Sequence, residues 1–449
     1  MKVAVVGAGW AGMAAAVEAA GLGLDVTVFE ATRTLGGRAR AVTTTKPDGT
    51  PITLDNGQHI LIGAYSETLA LMQRVGLDLP QVLMALPLSL PYPDGTGLQT
   101  PAWASGWPAP LDALAAIATA RGWSWGDRLA LIRASLAWRL AGFTCEPTLT
   151  VEQLCESVPE RVMQELIDPL CVSALNLPSS HASAVVFLNV MRDALFGRGA
   201  AGFNASSLLL PRTDLSTLFP QTAAHWLQSH HPNTSRIHLG ARITGLQAQA
   251  DGWRLRGEGV DALFDRVIWA TPPGVAAQTL LGHADDNDAL ASWGLSAHGL
   301  GFTAITTVYA FAPGARLTAP MLALRAEPDA HAAPAQFVFD RGQLNPGDAA
   351  AQGVLAFVVS ASSGERDDLQ ARVLQQGTRQ LGLALQPLLT VVEKRATFAC
   401  TPGLERPGPV MAVGLFAAGD YVQGPYPATL ESAVRHGLAA ARLAAQPQG

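Results

Sequence analysis

The chain opens on four apolar residues, Val-Ala-Val-Val at 3–6, the pattern of a parallel strand buried on both faces. Residues 11–22 carry small apolar side chains spaced for a helix, and 25–30 (Asp-Val-Thr-Val-Phe-Glu) return to a strand pattern. Together they predict a βαβ unit of about thirty residues. Further on, 236–246 and 253–256 read as paired strands. Residues 267–270 (Val-Ile-Trp-Ala) read as a buried strand stopped by Pro272 and Pro273. Residues 413–418 read as another apolar strand, followed by a helix over about 428–445.

Two blocks of different character interrupt this series. Residues 86–205 are patterned mostly as helices broken at Pro and Gly. Residues 285–395 hold strand-like runs at 302–311, 336–339 and 354–360, then a helix near 367–383. The predicted class is α/β: a discontinuous nucleotide-binding domain (1–85, 206–284 and 396–449) with an α+β domain inserted as 86–205 and 285–395. At 449 residues the chain exceeds what one core accommodates.

Composition narrows the picture. Apolar residues make up 49% and charged residues 15%, enough to build a large core and still line an apolar cavity. The net charge of −6 weighs against a nucleic-acid partner. Cys145, Cys155, Cys171 and Cys400 show no CxxC and no metal-ligand spacing, so they read as buried thiols in a reducing compartment, with no metal site. Lys2 precedes an apolar run, yet Gly7, Gly9, Gly12 and Glu18 argue against a signal peptide. The uncharged stretch 295–315 contains Gly, Thr and Pro and reads as strand and turn, so no spanning helix is predicted and a cytoplasmic location is expected.

Three motifs carry chemistry. Gly7-Ala8-Gly9-Trp10-Ala11-Gly12 sits between a strand and a helix. There Gly7 permits a tight turn, Gly9 lets the backbone approach a pyrophosphate, and Gly12 allows helix and strand to pack closely. Glu30 ends the second strand, where a carboxylate accepts hydrogen bonds from ribose hydroxyls and repels a 2′-phosphate. Leu35-Gly36-Gly37-Arg38 follows; Gly37 permits backbone approach and the Arg38 guanidinium suits a pyrophosphate. Near the other end, Ala417-Ala418-Gly419-Asp420 closes a strand just before a helix begins, an arrangement that offers a carboxylate and a helix N-terminus. Taken singly, each is also a plain glycine turn or strand-turn-helix.

These motifs resemble those of the flavin amine oxidase and phytoene desaturase superfamily. Four stretches, 54–59 (LDNGQH), 169–177 (PLCVSALNL), 208–219 (LLLPRTDLSTLF) and 427–437 (PATLESAVRHG), resemble the squalene-associated hydroxysqualene dehydroxylases. The resemblance implies a Rossmann-like FAD-binding domain of the glutathione-reductase-like, amine oxidase type and an inserted substrate domain. It sets Gly7, Gly9, Trp10, Ala11, Gly12, Glu30, Gly37 and Arg38 on the ADP half, and Ile243 on the adenine. It sets Gly419 and Asp420 on the ribityl chain, with Thr429 and Leu430 beside the isoalloxazine. No Cys or His marks a covalent link, so non-covalent FAD is expected.

The implied reaction is reductive loss of the hydroxyl of hydroxysqualene, a long-chain isoprenoid, to give squalene. It needs an apolar cavity, exclusion of water and a proton donor for the departing hydroxyl. His59 is the candidate donor, Tyr426 the alternative, and Asn176 either lines the cavity or caps a helix. The bland reading of His59 is that, with Asp55, it ties down a turn. With no second Gly-rich strand-helix unit for a nicotinamide, an external electron donor is expected. Five tryptophans (103, 107, 123, 125, 138) and an apolar stripe (Leu129, Ile132, Leu136, Leu140) beside Arg128, Arg133 and Arg139 read as a peripheral contact with the inner face of the cytoplasmic membrane, or else as a core helix. Rival readings are a carotenoid-type desaturase, an amine oxidase, for which only Lys394 is available, and a prenyl-binding carrier without flavin.

Overall fold

The computed structural model describes residues 1–282, 288–327 and 332–447. The domain limit expected between 284 and 285 lies outside these residues. β1 (Lys2–Val6) and β2 (Asp25–Glu30) pair in parallel from Lys2↔Asp25 to Val6↔Phe29, and α1 (Trp10–Gly21) joins them. Beyond β1 lie the parallel strands Arg266–Trp269 and Leu415–Ala417, then Val410–Ala412 as an antiparallel edge. Ser235–Leu239 forms the opposite edge, parallel to β2. The stretch expected to pair over 236–246 with 253–256 is therefore two strands. It breaks at Gly240, whose φ of +69° favours glycine. Only Ile243–Gln249 pairs with Gly252–Gly257, in a separate antiparallel sheet with Val260–Phe264. A period-2 pattern runs through the turn unchanged, so it cannot say which partner each half finds.

α1 is buried on nearly every side, which explains its alanines. It packs beneath the C-terminal helix Leu430–Ala445 and beside Pro220–His230. A Cβ on Gly12 would stand 1.9 Å from the Gly7 carbonyl oxygen, so only glycine admits the helix this close to β1.

A second sheet is antiparallel, in the order Met321–Ala323, Phe337–Asp340, Val354–Ser362, Phe302–Phe311, Gln386–Phe398. The last strand, thirteen residues long, has no clean apolar pattern: it carries Pro387 and the charged run Glu393-Lys394-Arg395. Its place at the sheet edge tolerates both. One face of this sheet (Val308, Val338, Leu355, Phe357) packs under the helix Arg366–Leu381 through Leu369 and Val373. The alternate residues turn the other way.

The block 86–205 contains the helices Leu111–Thr119, Trp125–Leu140, Asp168–Leu175 and Ala184–Phe196, but it opens with strands. Leu83–Leu86 pairs with Leu208–Pro211, and Ser89–Pro91 with Gly97–Gln99. The limits expected at 85/86 and 395/396 thus fall inside strands. Leu295, expected in strand or turn, lies in the helix Asp288–His298. All four cysteines are free, three of them buried and Cys145 half-buried. Among the described residues no helix is long and apolar enough to cross a membrane, and no cluster of side chains could hold a metal ion.

Candidate active site

A cavity of ≈ 560 Å³ runs between the parallel sheet, the antiparallel sheet and the helices Asp168–Leu175 and Ala184–Phe196. Every residue expected from the sequence to hold the cofactor lines it except Gly12, which lies one layer behind, and so do His59, Tyr426 and Asn176. The turn after β1 and the turn at Asp420, at opposite ends of the chain, open on this one space.

At one end stand Gly7, Gly9, Glu30, Gly37 and Ile243. Gly9 precedes α1, and no side chain caps that helix. Its first-turn N–H groups are left for a ligand, and with the helix dipole they suit a phosphate. Gly37 has a φ of +62°, and a Cβ on it would come within 3.2 Å of the Gly9 Cα. The two glycine turns thus meet backbone to backbone, leaving a bare floor that suits a pyrophosphate. Trp10 is interior: its indole N–H donates to the Ala39 carbonyl (3.3 Å) and its ring lies 5.1 Å from that of Phe219. Glu30 already accepts from the Ala8 N–H and from the N–H and hydroxyl of Thr32, each at 2.8 Å. A carboxylate offers about four acceptor positions, so one is left for a ribose hydroxyl.

Arg38 and Asp420 meet, which the sequence reading assigned to separate ligand groups. The Arg38 Nη2 lies 2.6 Å from Asp420 Oδ1, and its Nη1 donates to the Ala396 carbonyl at 2.6 Å. Burial works against the Arg38 charge, but Asp420 outweighs it and raises the pKa. Thr429 caps the C-terminal helix by accepting from the Ser432 N–H (3.1 Å), and Leu430 begins that helix at the cavity wall.

The far end is apolar, walled by Ile305, Phe337, Phe339, Val358, Ala174 and Val190. Two polar sites stand against it. His59 Nδ1 lies 2.7 Å from the Gly57 carbonyl, an acceptor, so that nitrogen carries the proton. Burial and then Arg38 hold the imidazole below its ordinary pKa, against the pull of the Gly57 carbonyl. The ring is therefore neutral at pH 7, and Nε2 is an acceptor. The Tyr426 hydroxyl donates to Asp193 Oδ2 at 2.5 Å, and Arg192 Nε donates to Asp193 Oδ1 at 2.8 Å. Burial, then the bond to Asp193, raises the Tyr426 pKa. Asn176 both lines the cavity and ends its helix, with φ at 53°. Its side chain donates to Thr303 and Thr397 and accepts from the Ala361 N–H, tying that helix to the antiparallel sheet.

Sequence reading missed Asp193, Tyr65, Glu393 and the phenylalanines. Asp193 did leave a signal. It falls three residues after Val190 on one face of an amphipathic helix, where a charge breaks an apolar stripe. Lys394 is exposed, whereas its neighbour Glu393 lines the cavity, and neither Lys2 nor Lys46 does.

Residues 10–445 match the family described as flavin containing amine oxidoreductase. The hydroxysqualene dehydroxylase of Rhodopseudomonas palustris is 28% identical, with 98% of this chain and 97% of that protein aligned. That of Sinorhizobium fredii is 27% identical over 99% and 98%. An oxidoreductase from Methanosarcina mazei has the same fold, with a TM-score of 0.71 at 16% identity over 98% of this chain and 99% of that one. The uncapped helix start, the bare glycine floor and the Asp420 turn on one cavity suit a flavin dinucleotide. The chain belongs to the flavin containing amine oxidoreductase family and is an FAD-dependent oxidoreductase.

Proposed function

We propose that the chain removes the hydroxyl of hydroxysqualene reductively, giving squalene, with FAD held non-covalently. The observation that carries this reading is the continuity of one cavity from the glycine floor to an apolar chamber with a single hydrogen-bonded Tyr–Asp pair on its wall. The full-length likeness to hydroxysqualene dehydroxylases supports it. The C–O bond breaks, the hydroxyl takes a proton and leaves as water, and a hydride takes its place on carbon. Reduced FAD supplies the hydride when bound.

The protein's own tasks follow from its side chains. Gly7, Gly9, Trp10, Ala11 and Gly37 hold the diphosphate end. Glu30 and Ile243 hold the adenosine. The Arg38–Asp420 pair, Gly419, Thr429 and Leu430 hold the other half. Phe337, Phe339, Ile305 and Val358 hold the hydrocarbon and keep water out. The proton is held at Tyr426 Oη against Asp193, and rotation of the hydroxyl about its C–O bond turns it to the substrate, a freedom that the ring N–H of His59 lacks. His59, protonated on the nitrogen that faces Gly57, has none to give at neutral pH. It serves instead as an acceptor that orients the substrate hydroxyl. Residues 1–85, 206–284 and 396–449 form the FAD-binding part and 86–205 with 285–395 the substrate part, to within the strands that cross those limits. Electrons reach the flavin from an external donor. An amine oxidase reading lacks a lysine at the cavity.

The test is anaerobic incubation of photoreduced enzyme with hydroxysqualene. Flavin reoxidation together with squalene formation is the expected result. Formation of a more unsaturated product from squalene by the oxidised enzyme, with hydroxysqualene untouched, would favour a desaturase and overturn the proposal.

A further inference from the structure

The helix Trp125–Leu140 buries only Leu131, Ala134 and Trp138. At about 100° per residue these three share one face. Trp125, Leu129, Leu136 and Leu140 fall on the opposite face, within an arc of roughly 60°. They are 71%, 55%, 52% and 89% exposed. Arg128 and Arg139 flank that stripe on one side and Arg133 on the other. The helix thus has two apolar faces, only one of which the fold uses.

The neighbouring segments continue the theme. Trp103 and Trp107, with ring centroids 5.1 Å apart, and Leu111 and Leu114 are exposed as well. They lie on and beside the turn Ala102–Ala104 and the helix Leu111–Thr119, which packs against both that turn and Trp125–Leu140. Of the sixteen large apolar side chains exposed among the described residues, eight lie between Trp103 and Leu140. Such a concentration marks a contact surface.

Charge identifies the partner. Residues 102–142 carry four arginines and two aspartates, in a chain of net charge −6. Asp112 is buried against the Ser206 hydroxyl, and Asp127 is taken up in capping its own helix through Ser124. The surface therefore presents tryptophan, leucine and uncompensated arginine. The Arg128 guanidinium lies 4.7 Å over the Trp125 ring, an arrangement suited to the headgroup level of an anionic bilayer. The same helix leans on the cavity wall. Trp138 packs edge-on against Phe187 at 6.3 Å, and Arg139 lies 5.4 Å over Phe196. Both phenylalanines belong to the helix that brings Val190 and Asp193 to the cavity.

We propose that this face docks the protein on an anionic lipid bilayer, one helix layer from the cavity that takes the hydrocarbon. The docking does not depend on which hydrocarbon is turned over. The test is flotation with vesicles of phosphatidylcholine and phosphatidylglycerol, set against phosphatidylcholine alone. The holoprotein is expected to float with the anionic vesicles and to be released by high salt. The variant W125S/L129S/L136S/L140S is expected to lose about tenfold in bound fraction. It should keep its flavin absorbance and its turnover of detergent-dispersed substrate. The proposal is overturned by no flotation of the wild type, by undiminished flotation of the variant, or by sedimentation showing a dimer that the variant dissolves into monomers. Loss of flavin by the variant would assign the face to the fold and overturn it too.

Discussion

Asp193 and Tyr426 stand 233 positions apart, yet theirs is the hydrogen bond on which the proposed proton delivery depends. Tyr426→Phe leaves Asp193 with Arg192 alone. It is expected to slow single-turnover flavin reoxidation by about 10²- to 10⁴-fold while the flavin spectrum stays unchanged. His59→Phe is expected to keep the pH dependence of turnover around neutrality, because burial holds the wild-type ring neutral there; a lost acidic limb in that profile would return the donor role to His59. Arg38 acts differently. Its removal strands Asp420, which is 7% exposed, without its cation. Arg38→Ala is expected to cost a few kcal/mol, about 3, and to release flavin on gel filtration. Arg38→Lys, which keeps the charge but loses the planar fork, should retain flavin partly. That Gly7, Gly9, Gly37, Glu30 and Asp420 stand at turns facing a cavity was legible from the sequence, because the turns are set by neighbours a few residues away. Asp193 was legible only as a fault in an apolar stripe, and the Arg38–Asp420 pair not at all.

At the scale of elements, the strand–α1–strand unit follows from local pattern alone. Its tightest point is Gly12, and Gly12→Ala is expected to give a colourless or insoluble protein, read from flavin absorbance. Gly347→Ala, where a Cβ meets nothing within 4 Å, should behave as wild type. The C-terminal helix depends on its cap, so Thr429→Ala is expected to lower the denaturation free energy by about 1 kcal/mol. Elements that break local rules were harder to read. The strand Gln386–Phe398 mixes charge, proline and β-branched residues because an edge position asks little of its outer side. The helix Trp125–Leu140 reads the same whether its second apolar face meets protein or lipid; exposure alone separates the two.

At the scale of the molecule, Asp55 ties distant segments together. Its carboxylate accepts from the Leu215 N–H at 2.7 Å, its carbonyl accepts from the Tyr309 hydroxyl at 2.8 Å, and Arg341 lies 3.9 Å away. Burial, only partly opposed by Arg341, pushes its pKa up from 3.8 to about 7. The folded state therefore holds this proton more tightly than the unfolded chain. The resulting stability is full below pH 3.8 and is lost as pH rises through about 7. Asp55→Asn keeps an acceptor for Leu215 and removes the titration. The variant should gain on the wild type in denaturation midpoint as pH rises from about 5 to about 8; a constant difference over that range would mean that the carboxyl is already ionised in the fold.

By itself the sequence determined the nucleotide-binding unit and the glycines, acids and arginine that floor one cavity, because turn geometry, strand burial and helix starts are decided within a few positions; resemblance of those motifs supplied the flavin family. Tertiary structure decided which strands pair with which. It brought Arg38 to Asp420 and Asp193 to Tyr426, and it left one helix face uncovered. Those outcomes rest on competition for burial among segments hundreds of residues apart, and local spacing holds no record of who wins it.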